Sequence, residues 1–287
     1  MVFIMFVAVG PPARRIATWL GRRYNQCALS LWLKIRGTRM SDTDSSQLAT
    51  PHSDARFATT RWTVVLAVAS PDSSRYREAL GTLCRTYWFP LYAYLRRHGD
   101  NREDAAEYTQ AFFAKLLEKQ SLNTITPHPG KFRSFLLTAL RRFVADEHDR
   151  MQAQKRGGGR KEFSLSFNDA EARYALQPVD DLSPDRLFER SWALTVLDNV
   201  MNRLEAEMAA AEKGQLFDLA RAHLCGAYDA IPYREVAAKL EMTEGAIKVA
   251  VHRMRNRYRE ILREEIAQTV SRPCEVDEEI RALFATL

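Results

Sequence analysis

From Phe57 to the C-terminus, apolar residues recur at every third or fourth position, and strict apolar–polar alternation is scarce. A 3.6-residue repeat lines apolar side chains along one face of a helix, whereas a period of two would line one face of a strand. Turn residues are also too widely spaced for a β-sandwich. The patterning predicts an all-α protein. In 76–99 (YREALGTLCRTYWFPLYAYLRRHG), Leu80, Leu83, Tyr87 and Leu91 keep helical register, Pro90 marks a kink and Gly99 a C-terminal stop. In 101–120 (NREDAAEYTQAFFAKLLEKQ), Tyr108, Phe112 and Leu116, with Phe113 and Leu117 beside them, form a core-facing stripe. Asp104 and Glu107 near its start and Lys115 and Lys119 near its end complement the helix dipole. In 131–156 (KFRSFLLTALRRFVADEHDRMQAQKR), Phe132, Phe135/Leu136, Ala139/Leu140 and Phe143 make a buried stripe, leaving Lys131, Arg133, Arg141 and Arg142 for other faces. The short run RWTVVLAVA (61–69) fits a strand or a buried helix equally.

The helical pattern breaks at KRGGGRK (155–161). No strand precedes these glycines and no Gly-Lys-Ser/Thr follows, so they read as a flexible basic connector rather than a phosphate-binding loop. Pro178 and Pro184 keep 177–186 (QPVDDLSPDR) irregular. Helical register resumes in 184–211 with Leu187, Trp192, Val196, Val200 and Leu204, and Asp181 or Ser183 can cap that helix. The organisation expected is two helical domains joined by a flexible linker: 57–156, a linker over 157–184, and 185–287 carrying a helix-turn-helix. Residues 1–56 form a disordered or mis-translated leader. From Met151 to Ser183 an extended chain spans roughly 100 Å.

The net charge of +6 on 287 residues decides little; its distribution says more. Residues 130–161 hold nine basic and three acidic side chains, and 162–220 hold five basic and twelve acidic. A basic block followed by an acidic one gives one surface that faces a polyanion and one that does not. Cys27, Cys84, Cys225 and Cys274 are far apart and form no CxxC pair, so neither a disulfide framework nor a zinc site is expected. Reduced thiols and a cytoplasmic protein follow. His223 and Cys225 lack a second ligand pair and read as packed side chains. No paired catalytic carboxylates, nucleophile elbow, metal set or nucleotide loop stands out; neither catalysis nor a cofactor is expected.

AAKLEMTEGAIKVAVHR (237–253) sits in a helix-turn-helix pattern. Val236, Ala237 and Leu240 face inward on its first helix, and Thr243 is placed to cap the second. Ile247, Val251, Met254, Tyr258 and Ile261/Leu262 form the inner stripe of that second helix. From Lys248 to Arg263 the chain carries six Lys or Arg and one Glu. In the major groove such a helix presents its N-terminal residues to base edges and flanking cations to phosphates. Glu244, Lys248, Val249 and His252 are the base-edge candidates, and Arg253, Arg255 and Arg257 the phosphate candidates. By itself the motif fits a stand-alone transcriptional regulator equally well.

Three motifs in order narrow that choice: RFATTRW (56–62), QKRGGGR (154–160) and TEGAIKVAVHRMRNRYREIL (243–262). With the helices between them, the chain over about 57–287 resembles bacterial RNA polymerase sigma factors of the extracytoplasmic-function type. The resemblance implies core RNA polymerase and promoter DNA as partners, and an anti-sigma protein as a possible regulator. It implies that the helix with Asp104, Glu107, Gln110 and Phe113 docks on the polymerase clamp. It implies that Lys131, Arg133, Phe135, Arg141 and Arg142, with Leu136 and Asp146 in the matching pattern, lie at the minus-ten element. There a basic groove with aromatic side chains suits unstacked single-stranded bases. The helix-turn-helix would read the minus-thirty-five element. A polymerase-binding adaptor without promoter specificity is the other alternative. The sequence departs from the family at Ala106 and Ala111 for acids, Phe135 for Trp, Arg142 for Asn, Ala250 for Arg, and Glu241 for the turn Gly. Of Phe132, Phe135 and Phe143, at least two are expected in the core. The terminal CEVDEEIRALFATL (274–287) places Val276, Ile280 and Phe284 on one stripe, which fits docking on the second domain or a handle for a regulator, with core packing the expectation.

The apolar run MVFIMFVAV covers nine residues, against the ~20 that cross a bilayer. Its first arginines, Arg14 and Arg15, follow the run rather than precede it as in a secretory signal. The polar, Ser/Thr-rich leader MSDTDSSQLATPHSD begins at Met40, which points to Met40 as the natural start; the rival reading is a basic amphipathic segment on a membrane surface. Intact mass of protein made from the native gene is expected to match a chain starting at Met40. A species beginning at Met1 would overturn that expectation.

Overall fold

The computed structural model of the chain describes residues 74–116, 132–153, 167–177, 182–225, 230–270 and 272–287, and it is all-α, with no strand among the described residues. The expectations for the leader, for 61–69, for the glycine connector and for Lys131 lie outside the described residues. Helix α1 (Ser74–His98) is followed by α2 (Arg102–Leu116), α3 (Phe132–Ala153) and α4 (Phe167–Ala175). Then come α5 (Pro184–Ala210), α6 (Gly214–Cys225), α7 (Tyr233–Lys239), α8 (Glu244–Ala267), a 3-10 turn (Pro273–Glu275) and α9 (Val276–Ala285).

Local signals set the ends of these helices. α1 runs on through Pro90, which cannot donate to the Thr86 carbonyl one turn back. Asn199 of α5 lies beside this stretch and donates to the Thr86 hydroxyl at 3.3 Å. α1 stops at Gly99, whose φ of +120° suits glycine; the Gly99 and Asp100 amides both donate to the Leu95 carbonyl at 3.2 Å. The Asn101 side chain then caps α2 by accepting from the Asp104 amide at 2.8 Å. Of the two caps foreseen for α5, Ser183 is the one in use, accepting from the Arg186 amide at 3.3 Å, with Pro184 in the first turn.

α5 organises the interior. It buries Leu187, Phe188, Trp192, Val196, Val200 and Leu204, and its contact with α1 is the most extensive between any two helices here. α1 brings Leu83, Tyr87, Leu91, Tyr92 and Leu95 to the same core. Helices on the two sides of the glycine-rich connector therefore pack on one another. α3 adds Phe132 and Phe143, through ring contacts to Tyr87 at 5.5 Å and to Phe112 at 5.8 Å. Phe132 and Phe143 are buried while Phe135 is only half-buried, so two of the three phenylalanines are core. Val276 and Phe284 of α9 are buried, and Ile280 packs against the same core.

α4 is a helix that the sequence reading missed, inside the stretch assigned to the linker. Glu171 accepts from Arg96 Nη2 at 2.8 Å and from the Tyr92 hydroxyl, and Arg173 stacks over Phe89 at 4.0 Å. These contacts fasten the middle of the connector to α1.

Two glutamates hold left-handed backbone at helix ends: Glu212 after α5 (φ 59°) and Glu241 in the helix-turn-helix turn (φ 53°). At Glu241 the strain foreseen from the sequence is present. A side chain there crowds the carbonyl that glycine would clear. Glu241→Gly is expected to stabilise the fold by about 0.5–1 kcal/mol, part of the relief being offset by the freer unfolded chain. The shift in a urea denaturation midpoint at unchanged slope measures it.

Candidate nucleic-acid interface

α7, the Glu241 turn and α8 form the helix-turn-helix. The Met242 amide donates to the Ala237 carbonyl at 3.0 Å, closing the turn, and Thr243 caps α8 by accepting from the Ala246 amide at 3.2 Å. Ile247, Val251, Met254, Tyr258, Ile261 and Leu262 are buried as the inner stripe. That burial fixes which side of α8 faces outward.

Five of the seven side chains expected on this surface share the exposed start of α8: Glu244, Lys248, Val249, His252 and Arg253. Val249 is 51% exposed, an apolar side chain held in water beside cations, and it suits contact with a thymine methyl. Lys248 pairs with Glu244 at 2.6 Å, and this hydrogen bond raises the lysine's pKa. Both groups are exposed, so the pair holds them in place without adding much stability. The His252 ring meets Asn256 at 3.2 Å, and Asn256 accepts from Arg259 at 2.8 Å.

The other two arginines turn inward. Arg255 donates to the His223 carbonyl at 2.5 Å, and the His223 ring is buried and stacked on Tyr233 at 4.0 Å, the packed role expected of it. Arg257 makes a two-point pair with Glu207 at 2.7 and 2.9 Å and also meets Glu260 at 2.9 Å. Between this helix and the end of α5 lies a largely apolar groove of about 570 Å³, lined by Leu204, Met208, Leu216, Met242, Val249 and Met254. The sequence reading missed this groove; the exposed apolar Met242 and Val249 that line it were its local signs.

On α3, Arg142 is exposed and Phe135 half-buried against Phe132, with ring centroids 6.0 Å apart. Arg141 Nε donates to the Tyr94 hydroxyl at 3.0 Å, and its guanidinium pairs with Asp185. Arg133 is buried and pairs with Glu189 and Glu279. On α2, Glu107 is exposed, Asp104 and Gln110 are half-exposed, and Phe113 is buried against Phe112 at 5.9 Å. The polar members of that set thus share an accessible face that Phe113 does not reach.

Among the described residues no cluster of His, Cys, Asp or Glu is arranged to hold a metal ion, and no helix is long and apolar enough to cross a membrane. Burial pushes the Cys84 thiol up to about 11, which keeps it protonated and unreactive at neutral pH.

Among the described residues the fold is all-α, with a capped helix-turn-helix whose second helix exposes cations at its start and a further arginine-bearing helix, α3, an arrangement that suits a DNA-binding protein. The sequence model of the ECF sigma factor family matches residues 92–264, more than half of the chain, and the protein belongs to that family. It is a transcription-initiation factor of the sigma class, binding DNA and RNA polymerase; the family is not an enzyme family. No curated protein and no solved structure matches the chain.

The Arg257–Glu207 pair ties α8 to α5 and is sensitive to acid. Hydrogen bonding from Arg257 lowers the Glu207 pKa below its ordinary 4.5. A lowered folded-state value contributes stability above the ordinary pKa and loses it as pH falls through the folded one. Glu207→Gln is expected to cost up to about 1 kcal/mol at neutral pH, since the pair is partly exposed. The gap to the unmodified protein should close below pH 4.5, as followed by thermal melts across pH.

Proposed function

We propose that this sigma factor directs core RNA polymerase to specific promoters by reading DNA at two places. The start of α8 reads the upstream, minus-thirty-five element: Glu244, Lys248, Val249 and His252 face base edges and Arg253 a phosphate. Arg255 and Arg257 act behind that surface, orienting α8 through α6 and α5. The outer face of α3, with Arg142 foremost, takes the minus-ten element. Asp104, Glu107 and Gln110 of α2 form the contact with the polymerase clamp, and Phe113 supports it from inside. Residues 57–156 and 185–287 serve as the two reading units, and the protein works where polymerase does, in the cytoplasm.

The observation that carries this reading is the cluster of five candidate side chains, all exposed, on the first three turns of a capped helix. An adaptor without promoter specificity would gain nothing from it. A stand-alone regulator would leave the accessible acidic face of α2 without a partner.

Reconstitution of the full chain with core polymerase tests the proposal: co-purification is expected, with open complexes on duplexes selected from a random library by the holoenzyme. Failure to co-purify would sink the reading, and binding without open complexes would favour the adaptor. Lys248→Ala is expected to weaken binding of the selected duplex by about 1 kcal/mol or more, and Lys213→Ala by much less, at one salt concentration. Equal losses would remove α8 from the reading role.

A further inference from the structure

The first turn of α3 is fastened by a buried charge cluster spanning three helices. Arg133 is 4% exposed and Glu279 of α9 is 1% exposed. The Arg133 guanidinium pairs with Glu279 and with Glu189 of α5, and it lies 4.3 Å over the Trp192 ring. Beside it the Phe132 amide donates to the Thr269 carbonyl at 3.3 Å, just after α8. Two turns further along α3, Arg141 pairs with Asp185. Cations of the helix assigned to the minus-ten element are thus held by carboxylates of α5 and α9.

We propose that α9 is an autoinhibitory latch, with Glu279 occupying the Arg133 guanidinium in place of a DNA phosphate. The inference rests on the reading of α3 as a DNA-facing helix. Carboxylate and phosphate are both oxyanions that a guanidinium grips through the same fork of N–H donors. A guanidinium this deeply covered cannot serve both. Release of Glu279 leaves Arg133 with Glu189 alone, and an incoming phosphate restores the second anion, so DNA binding favours that release. DNA binding and latch opening are then linked, and the closed form lowers apparent affinity by the fraction of molecules that are open.

The surroundings of α9 suit such a role. It is a ten-residue helix behind a 3-10 turn, and it lies beyond the residues matched to the family. Val276, Leu283 and Phe284 anchor it, and Asp277 pairs with Arg263 at the surface.

The test uses the full chain with Glu279→Gln and, separately, Asp277→Asn, which removes the surface pair of α9 with Arg263. Both replacements keep the side-chain shape. Asp277 is 63% exposed, so its replacement keeps the test open if the buried substitution impairs folding. Two quantities are read: hydrogen exchange over 276–285, and affinity of the reconstituted holoenzyme for a selected duplex at fixed salt. Faster exchange with affinity raised on the order of tenfold is expected. Unchanged or weaker affinity despite faster exchange would overturn the latch, as would unchanged exchange. Arg142→Ala, outside the cluster, separates the two levels of the argument. A loss of affinity there with no gain in either α9 variant overturns the latch alone. No loss there and no gain in either variant overturns both the latch and the DNA-facing reading of α3.

Discussion

The burial of one face of α5 against α1 sets the position of nearly everything else. α5 carries Trp192, fully buried, with Leu187 and Phe188 before it and Val196 and Val200 after it. Side chains of that size exclude water along most of the helix, and their removal from water is the dominant favourable term available to a chain without disulfide or metal support among its described residues. α8 packs on α5, as do α6 and α9, so the outward direction of α8 is fixed through the same helix that seats α1. The exposed face at the start of α8 is a derivative of this packing.

The arginines that are candidates for DNA contact divide into two kinds. Arg253 and Arg142 are exposed, and their charge is available to a polyanion. Arg133, Arg141, Arg255 and Arg257 are engaged with acceptors of the protein itself. Arg257 meets three glutamates, on α5 and on its own helix. The acidic block of 162–220 supplies several of these partners: Glu171, Asp185, Glu189 and Glu207 all lie in it. Asp185 and Glu189 pair with Arg141 and Arg133 of the basic block, whereas Glu171 and Glu207 pair with Arg96 and Arg257 outside it, so the acidic block is answered within the fold by cations from three stretches of the chain.

What could be read in the sequence was local. The Ser183 and Thr243 caps, the inner stripe of α8 and the left-handed backbone at Glu241 each depend on residues within a turn or two, and all are present. The placement of Lys248, Val249 and His252 on an exposed face followed from the same periodicity. α4 escaped notice because glycines and prolines flank it, although its nine residues are themselves good helix material. The inward turn of Arg133 and Arg257 was not legible, because it depends on carboxylates at least fifty positions away in sequence: Glu207 from Arg257, and Glu279 from Arg133. A charge on the outer arc of a helical wheel says that a side chain can reach solvent, and only the tertiary fold says whether an acceptor is nearer.

The attachment of α4 to α1 alters the mechanics of the connector. A free chain from Met151 to Ser183 would allow the two halves to part widely. With Glu171 held by Arg96, the tether to α5 is the short stretch after Gln177, and six residues reach only about 20 Å. A leash of that length keeps the halves at a high effective concentration, so a separated pair would re-form quickly unless a third body stood between them. The connector acts as a stop on travel, and the contacts of Glu171 and Arg173 with α1 set how far the stop lies from that helix.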